Sequence, residues 1–333
     1  MTAAERRLLS PVATDRNRAR RMRRSRPCLL AAVVTVAAFA RAASGVLVDP
    51  NGPGPYAVGQ TTRTFEKLSV TTGEPRVLET RIWYPADTSA PTPAVLRGRW
   101  PLLIFSHGSC SGPAQSGFLM EALASRGMIV AAPPHPGNTF NDCSDPGGSY
   151  ANRVPDVVFV LDQMQLEGAS RGAFFSRHVH PKRVGIMGHS FGGQTTIRAL
   201  AADERFRAGL ALAPAPAFDI AVTRPLLVLT GELDSLTPFE TDARDAFAAA
   251  RGRVRFLIRL ADTGHCAPVP VCIPSFCGAG CPPAGIDVAT ANERVQRVVV
   301  PFAMYHVARK SGYRRYLDPA TLPAGIEVVE ATP

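Results

Sequence analysis

A serine, a histidine and an aspartate can act as nucleophile, base and orienting carboxylate, and this chain of 333 residues carries them at telling positions. The segment Val184-Gly185-Ile186-Met187-Gly188-His189-Ser190-Phe191-Gly192-Gly193 leads from a short apolar run into a helix-like stretch, Gln194 to Ala201. G-x-S-x-G between a buried strand and a helix predicts a very tight turn, with Gly188 and Gly192 where side chains would collide. Ser190 is then held in strained geometry at a helix N-terminus. Its hydroxyl is exposed, with backbone N–H groups nearby to meet a developing oxyanion.

Such a serine needs a base, and open parallel sheets place functional groups just past the carboxyl ends of their strands. After Ser190, those ends carry Asp234, in Leu226-Leu227-Val228-Leu229-Thr230-Gly231-Glu232-Leu233-Asp234, and His265, in Leu260-Ala261-Asp262-Thr263-Gly264-His265. Steps of 44 and 31 residues in the order Ser, Asp, His predict that Asp234 orients His265 and that His265 serves Ser190. Glu232 and Asp219 are rival carboxylates, Asp262 is a rival local partner for His265, and His107, His135 and His189 are rival bases. His189 reads as a packing residue of the turn and His306 as part of a C-terminal helix. The second oxyanion donor should come from the loop Phe105-Ser106-His107-Gly108-Ser109-Cys110-Ser111-Gly112. The N–H groups of Ser109 and Phe191 are the predicted pair.

Short apolar runs alternating with helix-like segments must position these residues. Strands are predicted at 61–68, 78–84, 102–105, 128–131, 184–187, 208–212, 226–229 and 255–260. Helices are predicted around 114–125, 154–164, 191–202 and 239–250, with Pro155 in the first turn of the second. In a last helix Val295, Val298, Val299 and Phe302 recur at core-facing spacing. Runs apolar on both faces imply a mostly parallel sheet in an α/β class, with helices on both faces. The connection from Ala213 to Pro225 is too short for a large cap domain, which predicts an open cleft.

The motifs Trp83-Tyr84-Pro85-Ala86, P-L-L-I-F-S-H-G from Pro101, A-L-A-S-R-G-M-I-V-A-A-P from Ala122 and G-H-S-F-G-G from Gly188 resemble the dienelactone-hydrolase-related serine esterases. That group includes platelet-activating-factor acetylhydrolase-like enzymes and, more distantly, bacterial polyester hydrolases and cutinases. The resemblance spans about residues 60–310 and implies the α/β-hydrolase fold, with carboxylic-ester cleavage through an acyl-enzyme. Two departures matter. Dienelactone hydrolases use a cysteine nucleophile where Ser190 stands, and the acid position of the acetylhydrolases corresponds to Ala213. The acid therefore moves to Asp234, as in the polyester-hydrolase arrangement.

The net charge of +10 points at first to an anionic partner. Ten arginines and two acidic residues within 1–43 account for +8 of it, so the remainder is nearly balanced and no nucleic-acid partner is implied. Residues 1–43 combine that basic start with a short apolar run, 28–40, and Ala40-x-Ala42, which reads as a secretory signal peptide with Met22 as its start. The run is too short for a membrane span, so no stable span is expected in the mature form.

Residues 44–60 read as a linker, 61–312 as the catalytic domain and 313–333 as a C-terminal tail. Cys110 and Cys143 follow neighbouring strands and are expected to bridge, while Cys266, Cys272, Cys277 and Cys281 are expected to form two further disulfides. Their spacing lacks the C-x2-C of a zinc site, and no metal or cofactor is implied. The chain thus reads as a secreted or periplasmic serine hydrolase acting on a small-molecule or polymeric ester. An acyltransferase or amidase with the same triad, a non-catalytic binding protein of the same fold, and an anchored envelope protein are the alternatives.

Overall fold

Apolar residues on both sides of a strand demand cover on both sides, and the central strands have it. A computed structural model describes residues 49–332 apart from 90, 91, 218, 219, 249, 278, 279 and 283. The expected leader, 1–43, and the rival carboxylate Asp219 lie outside the described residues. In chain order the elements are β1 (Ala57–Leu68), β2 (Pro75–Asp87), β3 (Ala94–Val95), β4 (Trp100–Ser106), α1 (Gly117–Ala124), β5 (Ile129–Ala132), α2 (Pro146–Ala169), β6 (Val179–His189) and α3 (Phe191–Ala202). They continue with β7 (Phe206–Leu212), β8 (Leu226–Gly231), α4 (Arg244–Ala248), β9 (Arg255–Leu260), α5 (Pro274–Cys277), α6 (Val288–His306) and β10 (Ile326–Thr332).

The strands form one sheet in the order β1-β2-β5-β4-β6-β7-β8-β9-β10, with β3 beside β2. Neighbours from β5 to β9 run parallel, and β1, β2, β3 and β10 run antiparallel to their partners. The sheet is therefore mixed: its centre is parallel, as expected, and its edges are antiparallel. The physical difference shows along β2. From Pro75 to Arg81 its residues alternate exposed and buried, and from Ile82, where β5 pairs on its other side, the run through Ala86 is buried throughout.

Alternate side chains of the central strands feed two cores, one on each face. Leu103, Phe105, Met187, Leu210 and Leu229 pack with α1 and α6, while Leu102, Ile104, Ile186, Leu226 and Val228 pack with α2 and α3. The predicted stripe of α6 is in place, since Val295, Val298, Val299 and Phe302 are all buried.

Three expectations need correction. Residues 313–333 are not a tail: β10 returns antiparallel on β9 and closes that edge of the sheet. Strand β1 begins at Ala57, inside the stretch read as a linker. Helix α2 starts eight residues before the predicted Val154 and Pro155 lies in its interior, because Asp145 caps it by accepting from Gly148 N (2.7 Å) and Pro146 occupies the first turn. Gly147 and Gly148 are poor helix formers and hid that start.

Candidate active site

Ser190 follows β6 directly and opens α3, and its φ of 57° lies where non-glycine residues are strained. The register of β4 on β6 sets Ser106 beside Gly188, so a Cβ at Gly188 would strike the Gly192 carbonyl and one at Gly192 would strike the Ser106 carbonyl. Both glycines are required by this close approach. The turn is anchored by Ser190 N donating to Leu212 O (2.8 Å).

Asp234 and His265 follow β8 and β9 at the same edge of the sheet and meet there. His265 Nδ1 donates to Asp234 Oδ2 at 2.9 Å, with both side chains almost wholly buried. The carboxylate also accepts from Leu236 N and Thr237 N on Oδ1, each at 2.9 Å, and from the Thr237 hydroxyl on Oδ2 at 2.8 Å. Burial alone would raise its pKa, but the hydrogen bonds from His265 and Thr237 bring it below the usual carboxylate range. Thr237, three residues after the acid, is a partner that the sequence reading missed. Glu232 and Asp262 do not bond to the base: Glu232 is exposed and accepts from Asp262 N, and Asp262 is itself exposed.

Ser190 is half-buried, and among the described residues its hydroxyl has no hydrogen bond to His265. Their loops are nonetheless joined. His189, beside the serine, donates from Nε2 to His265 O (2.8 Å) and accepts on Nδ1 from Gln115 Nε2 (3.0 Å). It is thus a bracket between loops as well as a packing residue, and burial pushes its pKa down to about 3, so it stays neutral.

Gln115 also accepts from Gly108 N (2.7 Å), linking this bracket to the loop after β4. In that loop Cys110 N donates to Asn138 Oδ1 (3.2 Å). Among the described residues, the N–H of Ser109 between them, like that of Phe191, has no acceptor. Both N–H groups therefore remain available for the role expected of them from the sequence. The loop is tethered by the Cys110–Cys143 disulfide, and the loop after His265 by Cys266–Cys277 and Cys272–Cys281.

The rival bases His107 and His135 are fully buried in a second polar chain beneath the first. His135 Nε2 accepts from the Ser106 hydroxyl (2.9 Å) and its Nδ1 donates to Asp156 Oδ2 (3.0 Å). Asp156 is further held by Arg76, at 3.2 and 2.8 Å, and lies 3.6 Å from Lys67. Burial pushes His135 down to about 4 and, with Arg153 nearby, His107 well below its ordinary value. A cavity of about 1340 Å³ lies at the opposite end of the sheet, against Pro225, Val254, Tyr305 and His306. Ser190, Asp234 and His265 are not among the residues that line it.

Residues 53–269 match the family described as PET hydrolase-like. The chain belongs to the PET hydrolase-like family. The match takes in Ser190, Asp234 and His265 and ends before Cys272, so most of the cysteine-rich loop and all of α6 lie beyond it. The chain is also similar to platelet-activating factor acetylhydrolase of Cavia porcellus, 29% identical with 35% of each chain covered. It thus spans about a third of the length of that relative. In this PET hydrolase-like chain, Ala213 occupies the position read as the acetylhydrolase acid site, and its carbonyl lies 3.2 Å from Thr237 Oγ1, beside Asp234.

Proposed function

We propose that the protein is a serine carboxylic-ester hydrolase. Ser190 attacks the ester carbonyl, His265 takes the serine proton and returns it to the leaving alcohol, and Asp234 holds His265 in the tautomer that leaves Nε2 free. The N–H groups of Ser109 and Phe191 receive the oxyanion, and water then releases the acyl group from Ser190 by the same steps in reverse order. The observation that carries this reading is the buried Asp234–His265 hydrogen bond at the strand ends beside a serine held at positive φ.

The chain runs from β7 to β8 without an inserted domain, and exposed Tyr150 stacks on Phe191 at 6.2 Å while exposed Leu236 lies next to the acid's turn. An open, partly apolar rim suits esters with an extended or bulky group. Three disulfides favour work in an oxidising compartment outside the cytoplasm, and among the described residues no helix is long and apolar enough to cross a membrane.

The purified protein is to be assayed on nitrophenyl esters of increasing acyl length beside Ser190→Ala. A loss of about 10⁴-fold or more in kcat is expected for the variant. Equal rates for the two proteins would remove Ser190 from the mechanism.

A further inference from the structure

Behind the loop that carries Ser109 stands a buried cation. Arg153 of α2 is 0% exposed, and among the described residues no carboxylate oxygen lies within 4.0 Å of it. A guanidinium without water or an ion pair is tolerated only when its donors are satisfied, and all five are. Nε donates to Ser149 Oγ (3.3 Å). Nη1 donates to Ser106 Oγ (3.2 Å) and His107 O (2.6 Å), and Nη2 to Gly108 O (3.2 Å) and Asn138 Oδ1 (2.7 Å). Burial lowers its pKa to about 9, which leaves it charged at neutral pH.

The two carbonyls are the informative contacts. A trans peptide is planar, with its C=O and N–H pointing in opposite directions. Turning Gly108 C=O toward Arg153 turns Ser109 N–H away from it. The same carbonyl accepts from His107 Nδ1 (2.7 Å), whose Nε2 in turn accepts from His135 N (3.1 Å). The preceding peptide is pinned at both ends, with His107 O on Arg153 and Gly108 N on Gln115. The following one is held through Cys110 N on Asn138, itself an acceptor for Arg153. Gly108 borders the serine, since a Cβ there would meet Ser190 Cβ at 3.4 Å. The guanidinium carbon also lies 4.3 Å from the centre of the Phe191 ring, the residue that carries the other free N–H.

We infer that Arg153 is a positioning residue of the oxyanion hole: from inside the protein it fixes the orientation of the Gly108–Ser109 peptide and backs Phe191, so that both N–H groups face one point above Ser190. It touches no substrate and acts only through the two donors. The inference rests on the reading of Ser190 as nucleophile.

The test compares Arg153→Gln and Arg153→Lys with the native full-length chain, with reactive serines counted by end-point fluorophosphonate labelling so that rates are per labelled site. Gln cannot supply the five-donor fork, and Lys keeps the charge on a single point. The expected result is a fall in kcat of about 100-fold for Gln and about tenfold for Lys, with KM unchanged within about threefold. Affinity for a trifluoromethyl ketone, which forms the oxyanion on Ser190, should fall by the same factor as kcat, while the acid limb of the pH profile stays where it is in the native protein. A per-site kcat close to native, a loss confined to KM, or variants with no labelled serine at all would each overturn the inference. Failure of the underlying reading looks different, because the native protein itself would then neither label at Ser190 nor outpace Ser190→Ala.

Discussion

Two sets of Ser, His and Asp lie in this molecule, one at the rim of the sheet and one beneath it. Ser190 and the pair His265–Asp234 sit where strands end; Ser106, His135 and Asp156 are hydrogen-bonded in the same sequence of groups but are 0% exposed. Ser106 belongs to a strand, and its hydroxyl oxygen is occupied by Arg153, whereas Ser190 is lifted by a strained turn beside two unclaimed N–H groups. The residue types are therefore insufficient. What separates a candidate nucleophile from a structural hydroxyl is solvent access, backbone strain and free donors at the point where charge develops.

The sharpest way to break this comparison is to neutralise each carboxylate in turn. Asp234→Asn should lower kcat by about 10⁴-fold, since the amide no longer enforces the working tautomer of His265, with a smaller loss of stability than a change at Asp156. Asp156→Asn should reverse the pattern. It leaves Arg76 and Lys67 facing a neutral group in the interior and should cost about 3–5 kcal/mol, read from urea unfolding. If Asp156→Asn instead abolished turnover at native stability, the buried chain would be chemically active and the contrast would collapse.

A milder change sharpens the same point. Ser106→Ala removes one acceptor from Arg153 and a donor to His135, for which about 1–3 kcal/mol of stability should be lost. Its kcat should stay within about tenfold of native, against the far larger loss at Ser190→Ala.

A graded effect is expected with pH. His135, at about 4, and His189, at about 3, are depressed below the ordinary 6.5 by burial, and His107 moves the same way. The unfolded chain therefore takes up protons first as the solution is acidified. Stability contributed by these neutral histidines is complete above pH 6.5 and is lost as pH falls toward the folded values, by about 1.4 kcal/mol per pH unit for each. The lowered pKa values of Asp156 and Asp234 extend the loss in the same direction at still lower pH. Urea midpoints measured from pH 7.5 to 4.5 check this, and a flat profile would contradict the neutral, buried state of His135 and His189.

Much of the candidate site is legible in the sequence. The elbow at Ser190 announces itself through Gly188 and Gly192, because a turn that tight is a local demand on neighbouring residues. The strand ends carrying Asp234 and His265 could be found because buried parallel strands are short and continuously apolar. The Cys110–Cys143 bridge followed from the adjacency of β4 and β5. Less legible were the edges: β10 alternates only weakly and packs on one side, so 313–333 read as a tail.

Least legible was the support beneath the site. Arg153 sits in the first turns of α2, which two glycines disguised, and its acceptors Ser106, His107, Gly108 and Asn138 come from 15 to 47 residues away. Nothing in its neighbours marks it as anything but a helix-surface arginine. By itself the sequence determined the tight turn at Ser190, the order Ser, Asp, His and the apolar strands that carry them, since these depend on residues close in the chain or on simple periodicity. Only the tertiary structure decided which carboxylate met which histidine, which histidines were shut away from water and what held the Ser109 peptide in place. Those outcomes depend on sheet register and helix docking, which bring together polar groups that local sequence cannot pair.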